Sequence, residues 1–447
     1  MTARVEPLPH GERPALDTLI SRFDSGSAAV EVNFRRLMPS VTPPRGGHAI
    51  HPYPAKLLVN IPQFFLAALC PDHGDKLLDP FCGSGTVLYE AALAGLRPLG
   101  SDSNPLARLV TRAKLTSINR DVVGDELALI MQRYPMLAPD IPDVINLDYW
   151  FSDRISQTLG KLRAAIAQCV STRHRPLFDV SFSATVKRVS YADPRLSVPV
   201  KINPARSARY GAKGDEVLRR LARLENVDVA AVFWSIVSQN SRRLRQVREG
   251  DAEIPFTIFD DARALNLADA SIDIAITSPP YVGAQKYIRA SSLSLGWLGF
   301  TPECKLRPHE RVSIGREHLG AEEIWQTEGT GILAADALLD EIAARNPLRA
   351  RIAQRYLLEM RDALAELARV MRTGADLILV VGPNLVAGFE FPTPAFLEEL
   401  ARRAGFATHL HLIDSIESRG LMTKRNRTAG VIQQESVFLL KRGPVDV

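Results

Sequence analysis

The sequence has few cysteines and no long uninterrupted apolar run. Its four cysteines in 447 residues form no CxxC pair and no disulfide framework, which favours a reducing, cytoplasmic compartment. No segment approaches the roughly 18 consecutive apolar residues of a membrane span, and the polar N-terminus lacks the apolar core of a signal peptide. The histidines and cysteines show no metal-ligand spacing. We therefore expect a cytoplasmic globular protein with no metal site and no membrane partner.

Lysine is scarce as well. It supplies 11 of the 55 basic residues, and arginine supplies the other 44. The planar guanidinium of arginine can form paired hydrogen bonds to phosphates and base edges, which lysine cannot. The net charge of +5 is small, but residues 151–250 contain 19 basic and 8 acidic residues, a net charge of +11, so the remainder sums to −6. GC-rich codon usage would explain an excess of arginine but not where the charge lies. The uneven charge predicts a polyanionic partner for this block.

Alternating strand and helix patterns predict a parallel α/β sheet. A short strand before a Gly-rich turn, a helix over 87–96, a second strand ending at Asp102 and a helix over 104–115 open the alternation. It resumes after residue 250 and ends in a pattern typical of a terminal strand pair. In between, we expect helices at 145–170 and 216–248 and mainly loops over 171–215.

This pattern predicts one α/β domain with an insertion. We expect a polar N-terminal lead-in over 1–47, an α/β domain formed by 48–120 and 251–447, and a basic insert over 121–250.

The first chemical motif is DPFCGSGT, residues 79–86, in which a strand feeds a tight turn. Glycine removes side chains from the surface that a ligand approaches, and the helix that follows presents free N–H groups. The spacing differs from GxGxxG and from the P-loop, which has a lysine. Asp102 ends the next strand, where an acid is placed to bind the two hydroxyls of a ribose. The alternative for Asp102 is a cap for the helix that follows.

The second motif is TSPPY, residues 277–281, directly after the predicted strand IDIAI. The two prolines fix the backbone and have no N–H, so the loop presents mainly acceptors: the Ser278 hydroxyl and the carbonyls of Ser278 and Pro279. Tyr281 adds an aromatic face, which suits a planar base with an exocyclic amine. Alone, such a motif is more often a proline-rich turn with a core tyrosine. Together with the first motif, it predicts a site at the carboxyl ends of parallel strands.

DPFCGSGTVLYEAALAGLRPLGSDSNPLA followed by TSPPY resembles the amino-methyltransferase family of DNA. HAIHPYPAKL (48–57) resembles that family's cofactor-flanking motif, and the resemblance covers roughly residues 30–120 and 250–447. It implies a Rossmann-like methyltransferase sheet of seven strands, mostly parallel and with the last strand antiparallel, here with a basic insert. It also implies S-adenosylmethionine as cofactor, double-stranded DNA as partner, and a flipped target base methylated at cytosine N4 or adenine N6.

The resemblance assigns roles residue by residue. The residues that match the family's cofactor-binding positions are Asp79, Phe81, Gly83, Ser84 and Gly85 for the methionine end, Asp102 for the ribose, Asp260 or Asp261 for the adenine amine, and Tyr53 in the flanking motif beside Pro54 and Lys56. The residues that match the catalytic loop are Ser278, Pro279, Pro280 and Tyr281.

The resemblance makes 48–120 and 251–447 the catalytic domain, and it makes the basic insert, 121–250, a candidate target-recognition region with candidate DNA contacts. These are Arg188, Arg195, Arg206, Arg209, Arg242, Arg243 and Arg245, whose alternative is a solvated surface.

Three further readings stay open. The first concerns the target base: cytosine N4 is preferred, because SPPY loops lean that way in the family, and adenine N6 is the alternative. The motif order differs from that of many TSPPY enzymes, which place the catalytic loop before the Gly-rich motif, whereas here the Gly-rich motif comes first. The others are an RNA methyltransferase acting on a tRNA guanine amine and an inactive nucleic-acid-binding module of this fold. The resemblance also makes a cognate restriction endonuclease an expected partner.

Overall fold

The computed structural model describes most of the chain. The described residues are 11–26, 28–39, 46–54, 56–205, 211, 214–244, 255–283, 287–320, 328–415 and 434–444. Within these ranges, no helix combines the length and the apolar character needed to cross a membrane.

A single large sheet organises the described residues. Its strands are β1 (Val30–Val32), β2 (Lys76–Asp79), β3 (Arg97–Ser101), β4 (Thr257–Phe259), β5 (Ile272–Thr277) and β6 (Met371–Val381), together with β9 (Phe406–Ser415) and β10 (Gln434–Arg442), while β7 (Asn384–Val386) pairs only with β8 (Phe389–Phe391). The strand order is β1-β9-β10-β6-β5-β2-β3-β4, and only β10 runs antiparallel to its neighbours. The predicted Rossmann-like sheet with an antiparallel last strand is confirmed. The predicted seven strands become eight because β1 joins the edge.

Helices cover both faces of this sheet. They are α1 (Glu12–Gly26), α2 (Phe34–Leu37), α3 (Asn60–Leu69), α4 (Thr86–Leu93), α5 (Pro105–Leu115), α6 (Arg120–Arg133), α7 (Leu147–Trp150), α8 (Asp153–Cys169), α9 (Arg175–Val189), α10 (Gly214–Glu225), α11 (Val229–Leu244), α12 (Tyr287–Ala290), α13 (Ser292–Trp297), α14 (Arg307–Val312), α15 (Leu333–Arg345), α16 (Pro347–Val370) and α17 (Thr393–Arg403).

Strand β6 shows how the two cores arise. Successive side chains of a strand point to opposite faces. Leu377 and Leu379 accordingly join the core beneath α16 and α17, and Ile378 and Val380 join the core beneath α1, α3 and α4. A strand buried on both faces has a continuous apolar sequence, which is why this strand is evident in the sequence.

The residues predicted as a polar lead-in contribute to the sheet. β1 pairs in parallel with β9, and the side chains of Leu16, Leu19 and Phe34 are buried in the same core as α3. Asp414 of β9 also accepts a hydrogen bond from the Phe34 backbone at 3.0 Å. The domain boundary at residue 47 stays a prediction.

The basic insert forms a helical layer on α5. Its own core joins α6, α8, α9 and α11 to α5 and α13, and Trp297 lies edge-on to both Phe151 and Phe182. The expectation of loops over 171–215 is wrong for Arg175–Val189, which form α9. Phe178, Phe182 and Val186 are buried at a spacing of four residues, and this periodicity, not the Ser/Arg-rich composition, determines the local structure.

Candidate active site

The carboxyl ends of β2, β3, β4 and β5 lie at one edge of the sheet, because these strands are parallel neighbours. A cavity opens at this edge. The sequence-predicted residues that line it are Tyr53, Phe81, Gly83, Asp102, Asp260, Asp261, Ser278 and Pro280. The other predicted cofactor and catalytic residues do not line it; they are Asp79, Ser84, Gly85, Pro279 and Tyr281.

Two glycines shape the turn after β2. Both have a left-handed backbone, with φ of +51° at Gly83 and +70° at Gly85. A Cβ on Gly85 would lie 2.7 Å from Oγ1 of Thr111 on α5, so this turn packs against the helix without room for a side chain. A Cβ on Gly83 would meet only the Tyr53 ring, at 3.9 Å, because this residue borders the cavity. The Thr111 hydroxyl also donates to the Gly83 carbonyl at 3.1 Å.

Asp102 is held by backbone donors at the end of β3. Its carboxylate accepts hydrogen bonds from the backbone N–H of Gly83 at 2.9 Å and of Asn104 at 2.8 Å. Burial raises the pKa of Asp102 to about 6 despite these bonds. The alternative that Asp102 caps the next helix is wrong, since Asn104 is the cap and accepts from the Leu106 N–H. Asp102 instead faces the cavity.

The structure distinguishes the two acids after β4. Asp261 is engaged by Arg263, whose Nε and Nη2 each lie 2.9 Å from one of its oxygens. Partial burial opposes ionisation, yet the bonds from Arg263 hold the pKa of Asp261 below its usual value. Asp260 is exposed on the cavity lining. Asp260 is therefore the better placed of the two to bind a ligand.

Asp79 links the ends of two strands. Its Oδ1 accepts from the Thr277 hydroxyl at 2.7 Å and from the Phe81 N–H at 3.1 Å, which joins the end of β2 to the end of β5. The side chain is buried, and burial raises the pKa of Asp79 to about 7. Asp79 thus positions the Gly-rich turn relative to the TSPPY loop.

The raised pKa of Asp79 predicts a pH-dependent stability. Below about pH 4, its usual pKa, the carboxyl is protonated in both states. Between about pH 4 and about pH 7 the unfolded chain has released this proton while the folded protein retains it, so stability falls as the pH rises, and the loss is complete above the folded pKa of about 7. A pKa difference of one unit corresponds to about 1.4 kcal/mol, so the loss should amount to a few kcal/mol. Urea unfolding of Asp79→Asn at several pH values should give a flatter profile between pH ~4 and ~7.

Thr277→Val is the matched variant for this experiment. It removes the hydroxyl that stabilises the ionised Asp79 while leaving the carboxyl in place, so the loss of stability toward neutral pH should become steeper than in wild type. Identical pH profiles for wild type and Asp79→Asn would count against the assignment.

The TSPPY loop, predicted to be catalytic, is fixed on both sides. Pro279 is buried, and the Tyr281 hydroxyl donates to Oε1 of Glu435 on β10 at 2.7 Å. Asn384 donates to the Val282 carbonyl at 2.7 Å. Burial, followed by the charge of Glu435, raises the pKa of Tyr281, so this phenol stays protonated. No sequence motif marks Glu435 or Asn384, because each reaches the loop only through the folding of a distant strand.

A second concave surface, the basic groove, lies between the HPYP segment and the insert. Its cations are Lys56, Lys187, Arg188, Arg220 and Arg243. Asp193 is the one carboxylate among its described lining residues, and it is paired with Arg195. Five cations against one neutralised acid make the groove electropositive.

The predicted DNA-contact arginines have different positions. Arg188 is exposed in the basic groove, and Arg243 lines it while donating to the Ala49 carbonyl at 2.8 Å. Arg195 binds Asp193, and Arg242 is exposed at the end of α11. The remaining predicted arginines, Arg206, Arg209 and Arg245, lie outside the described residues.

Comparison with known proteins shows what the chain is similar to. Residues 52–123, from Pro52 into α6, match the family described as RMKL-like, methyltransferase domain. This segment is therefore similar to a methyltransferase domain, the fold is Rossmann-like as predicted, and S-adenosylmethionine is the cofactor that the motifs imply. Along most of its length the chain is similar to Type II methyltransferases, in line with the resemblance that the motifs indicated.

Three relatives give the extent of this similarity. Type II methyltransferase M.MvaI of Kocuria varians is 24% identical over 80% of this chain and 81% of its own. M.AvaI of Nostoc sp. is 21% identical over 74% of this chain and 73% of its own. Among solved structures, a SAM-dependent methyltransferase from Methanosarcina mazei has 11% identity and a TM-score of 0.29, over 84% of this chain and 95% of that chain.

The cavity residues fit S-adenosylmethionine chemically. Neighbouring strands lie about 4.8 Å apart, so the ends of β2, β3 and β4 form a row about 10 Å long. The open face of Gly83, the carboxylate of Asp102 and the carboxylate of Asp260 follow one another along this row and would take the methionine, ribose and adenine parts. The hydroxyls of Ser84 and Ser101 are buried and have no hydrogen-bond partner in the described part of the chain. Two hydroxyl groups near the cavity are therefore free to form hydrogen bonds with a ligand.

Proposed function

We propose that this chain transfers a methyl group from S-adenosylmethionine to an exocyclic amine of a DNA base, with cytosine N4 preferred and adenine N6 as the alternative. One observation carries the proposal: a single cavity joins Gly83, Asp102 and Asp260 to Ser278 and Pro280. The proposed setting is restriction–modification, with a cognate restriction endonuclease as partner.

The catalytic loop offers what an exocyclic amine needs. Such an amine is a poor nucleophile because its lone pair is delocalised into the ring. Two acceptors, the Ser278 hydroxyl and the Pro279 carbonyl, would take its two N–H groups and favour a tetrahedral nitrogen with a localised lone pair. S-adenosylmethionine supplies a methyl group on a positively charged sulfur, open to direct displacement. Oriented reactants of this kind gain up to ~7–11 kcal/mol from proximity alone.

Tyr281 is the proposed platform for the flipped base. Extruding a base from the duplex costs a few kcal/mol, and stacking on an aromatic ring returns about 1–3 kcal/mol. The hydrogen bond from the Tyr281 hydroxyl to Glu435 fixes the ring before the base arrives. A ring held in place in this way loses little further conformational entropy when it stacks.

The basic groove supports DNA as the substrate. When Lys and Arg side chains neutralise DNA phosphates, counterions are released, and this release supplies much of protein–DNA affinity. An electropositive groove between the insert and the proposed catalytic domain is therefore suited to the DNA backbone. The M.MvaI and M.AvaI relatives are Type II methyltransferases by name, which supports the same substrate for this chain.

Arg188 provides a direct test of the groove. It is exposed there, so Arg188→Ala should weaken DNA binding and reduce the slope of log affinity against log salt by about 0.9, the contribution of one phosphate. Arg402→Ala removes the same charge from α17, where Arg402 pairs with Glu399, and should leave the slope unchanged. Fluorescence anisotropy at several salt concentrations measures both; equal slopes in all three proteins would contradict the proposed groove contact.

Methyl transfer from labelled cofactor tests the function itself. We expect incorporation into unmethylated double-stranded DNA and not into RNA of the same sequence. Incorporation into RNA alone would replace the proposal by RNA methylation. Cofactor binding without transfer to either polymer would indicate an inactive module.

A further inference from the structure

A short segment forms the outer wall of the cofactor cavity. Val312, Ser313 and Ile314 line the cavity, and the Ser313 hydroxyl lies 3.1 Å from that of Ser103, the residue after Asp102. Gly315 has a φ of +75°, and a Cβ there would lie 2.7 Å from the Tyr281 carbonyl. Residues 312–316, the wall segment, therefore contact the cofactor side and the catalytic loop together.

Two arginines donate hydrogen bonds to carbonyls of this wall segment: Arg263 from outside it and Arg316 from within it. Arg263, which donates to both carboxylate oxygens of Asp261, also donates from Nη2 to the Val312 carbonyl at 3.1 Å. Arg316 donates from Nη1 to the Ser313 carbonyl at 3.4 Å. Arg263 thus connects the wall segment to the turn that presents Asp260, so the two sides of the cavity are fixed relative to each other.

Both arginines meet at Glu359 on α16. Oε1 of Glu359 accepts from Arg316 at 2.6 Å, from Arg263 at 3.2 Å and from Arg355 at 3.0 Å. Glu359 is only 2% exposed, and Arg316 is 7% exposed. A buried carboxylate shared by cations is costly to disrupt, because removing one partner leaves charge uncompensated. Within the described residues, the third arginine, Arg355, bonds to Glu359 without contacting the wall segment, and its side chain is partly exposed to solvent.

We propose that Glu359 is a positioning residue for cofactor binding, acting through Arg263 and Arg316 on the wall segment. The inference rests on the proposed use of the cavity for S-adenosylmethionine. The proposal predicts different roles for the three arginines that bind Glu359. Arg263 and Arg316 also bind the wall segment and so link Glu359 to the cavity, whereas Arg355 does not.

Calorimetry with S-adenosylhomocysteine tests this inequality without requiring turnover. Loss of charge-assisted hydrogen bonds predicts that Glu359→Gln raises the Kd about tenfold. Arg316→Ala should do the same, while the matched variant Arg355→Ala should stay within about twofold of wild type. In steady-state assays, KM for S-adenosylmethionine should rise in the first two variants, and KM for DNA should not.

A milder substitution serves as the control for effects on folding. Arg263→Lys keeps the positive charge, loses the fork, and should raise the Kd several-fold at an unchanged unfolding temperature. Wild-type affinity in Glu359→Gln, or equal weakening in Arg355→Ala and Arg316→Ala, would overturn the inference. If Glu359→Gln fails to fold, wild-type affinity in Arg263→Lys overturns it instead. A wild-type protein that binds the cofactor product without methylating DNA would contradict the proposed function and leave this inference standing.

Discussion

Replacing Tyr281 by alanine is expected to lower the methyl-transfer rate roughly 10- to 100-fold, because base–aromatic stacking is worth about 1–3 kcal/mol. Cofactor affinity should change little, since Tyr281 does not line the cavity that holds Gly83 and Asp102. Single-turnover rates with saturating DNA, together with the Kd for S-adenosylhomocysteine, measure the two effects separately.

Tyr281→Phe is the matched control. It keeps the ring and removes the hydroxyl that donates to Glu435, so the rate should fall by less than tenfold. Wild-type rates in Tyr281→Ala would contradict the stacking role. An equal loss in both variants would show that the bond to Glu435, and not the ring, is what matters.

The second large effect concerns Asp102. Asp102→Asn loses the charge that would bind two ribose hydroxyls, and charge-assisted hydrogen bonds of about 1.5–3 kcal/mol predict a weakening of cofactor binding by about 100-fold. The variant keeps one side-chain oxygen for the Gly83 N–H or the Asn104 N–H, so the turn should stay folded. Calorimetry gives the affinity, and thermal unfolding reports the fold.

A modified ligand distinguishes contact from local structure. The 2′,3′-dideoxy analogue of S-adenosylhomocysteine should bind wild type far more weakly than the parent compound, whereas Asp102→Asn should bind the two almost equally. A variant that still discriminates between the two ligands as wild type does would contradict the ribose role of Asp102.

The strands and turns around the cavity were predictable because the sequence signals that indicate them are local. The turn with Gly83 and Gly85 follows directly on a strand, and the second half of β6, residues 377–381, is a continuous apolar run, so each feature is evident within about ten residues of sequence. The parallel order of β2, β3 and β5 then places the two motifs at one edge.

Other features depend on distant partners. Strand β1 has only three residues and pairs with β9, nearly 400 residues away, so its sequence alone carries no strand signal. The choice between Asp260 and Asp261 depends on Arg263, and Arg263 is positioned by Glu359 on another element. In the sequence, Glu359 is one of several charged residues in a long amphipathic helix, and nothing marks it as buried.

The charge of the insert was predictable, but its arrangement was not. The excess of arginine locates the basic block, whereas packing of the insert on α5 decides which cations face the groove. Lys56 joins Lys187 and Arg188 of α9 there from a separate segment, while Arg195 is neutralised by Asp193.

Mapping of modified bases tests the central claim most directly. The protein is expressed in a host without DNA methylation, and the genomic DNA is read by single-molecule sequencing, with Tyr281→Ala expressed in parallel. We predict N4-methylcytosine at one short recognition sequence in the wild-type sample and a strongly reduced signal in the variant. N6-methyladenine at such a sequence would select the alternative base. Genomic DNA with no modified amine, from cells that contain folded protein, would contradict the account.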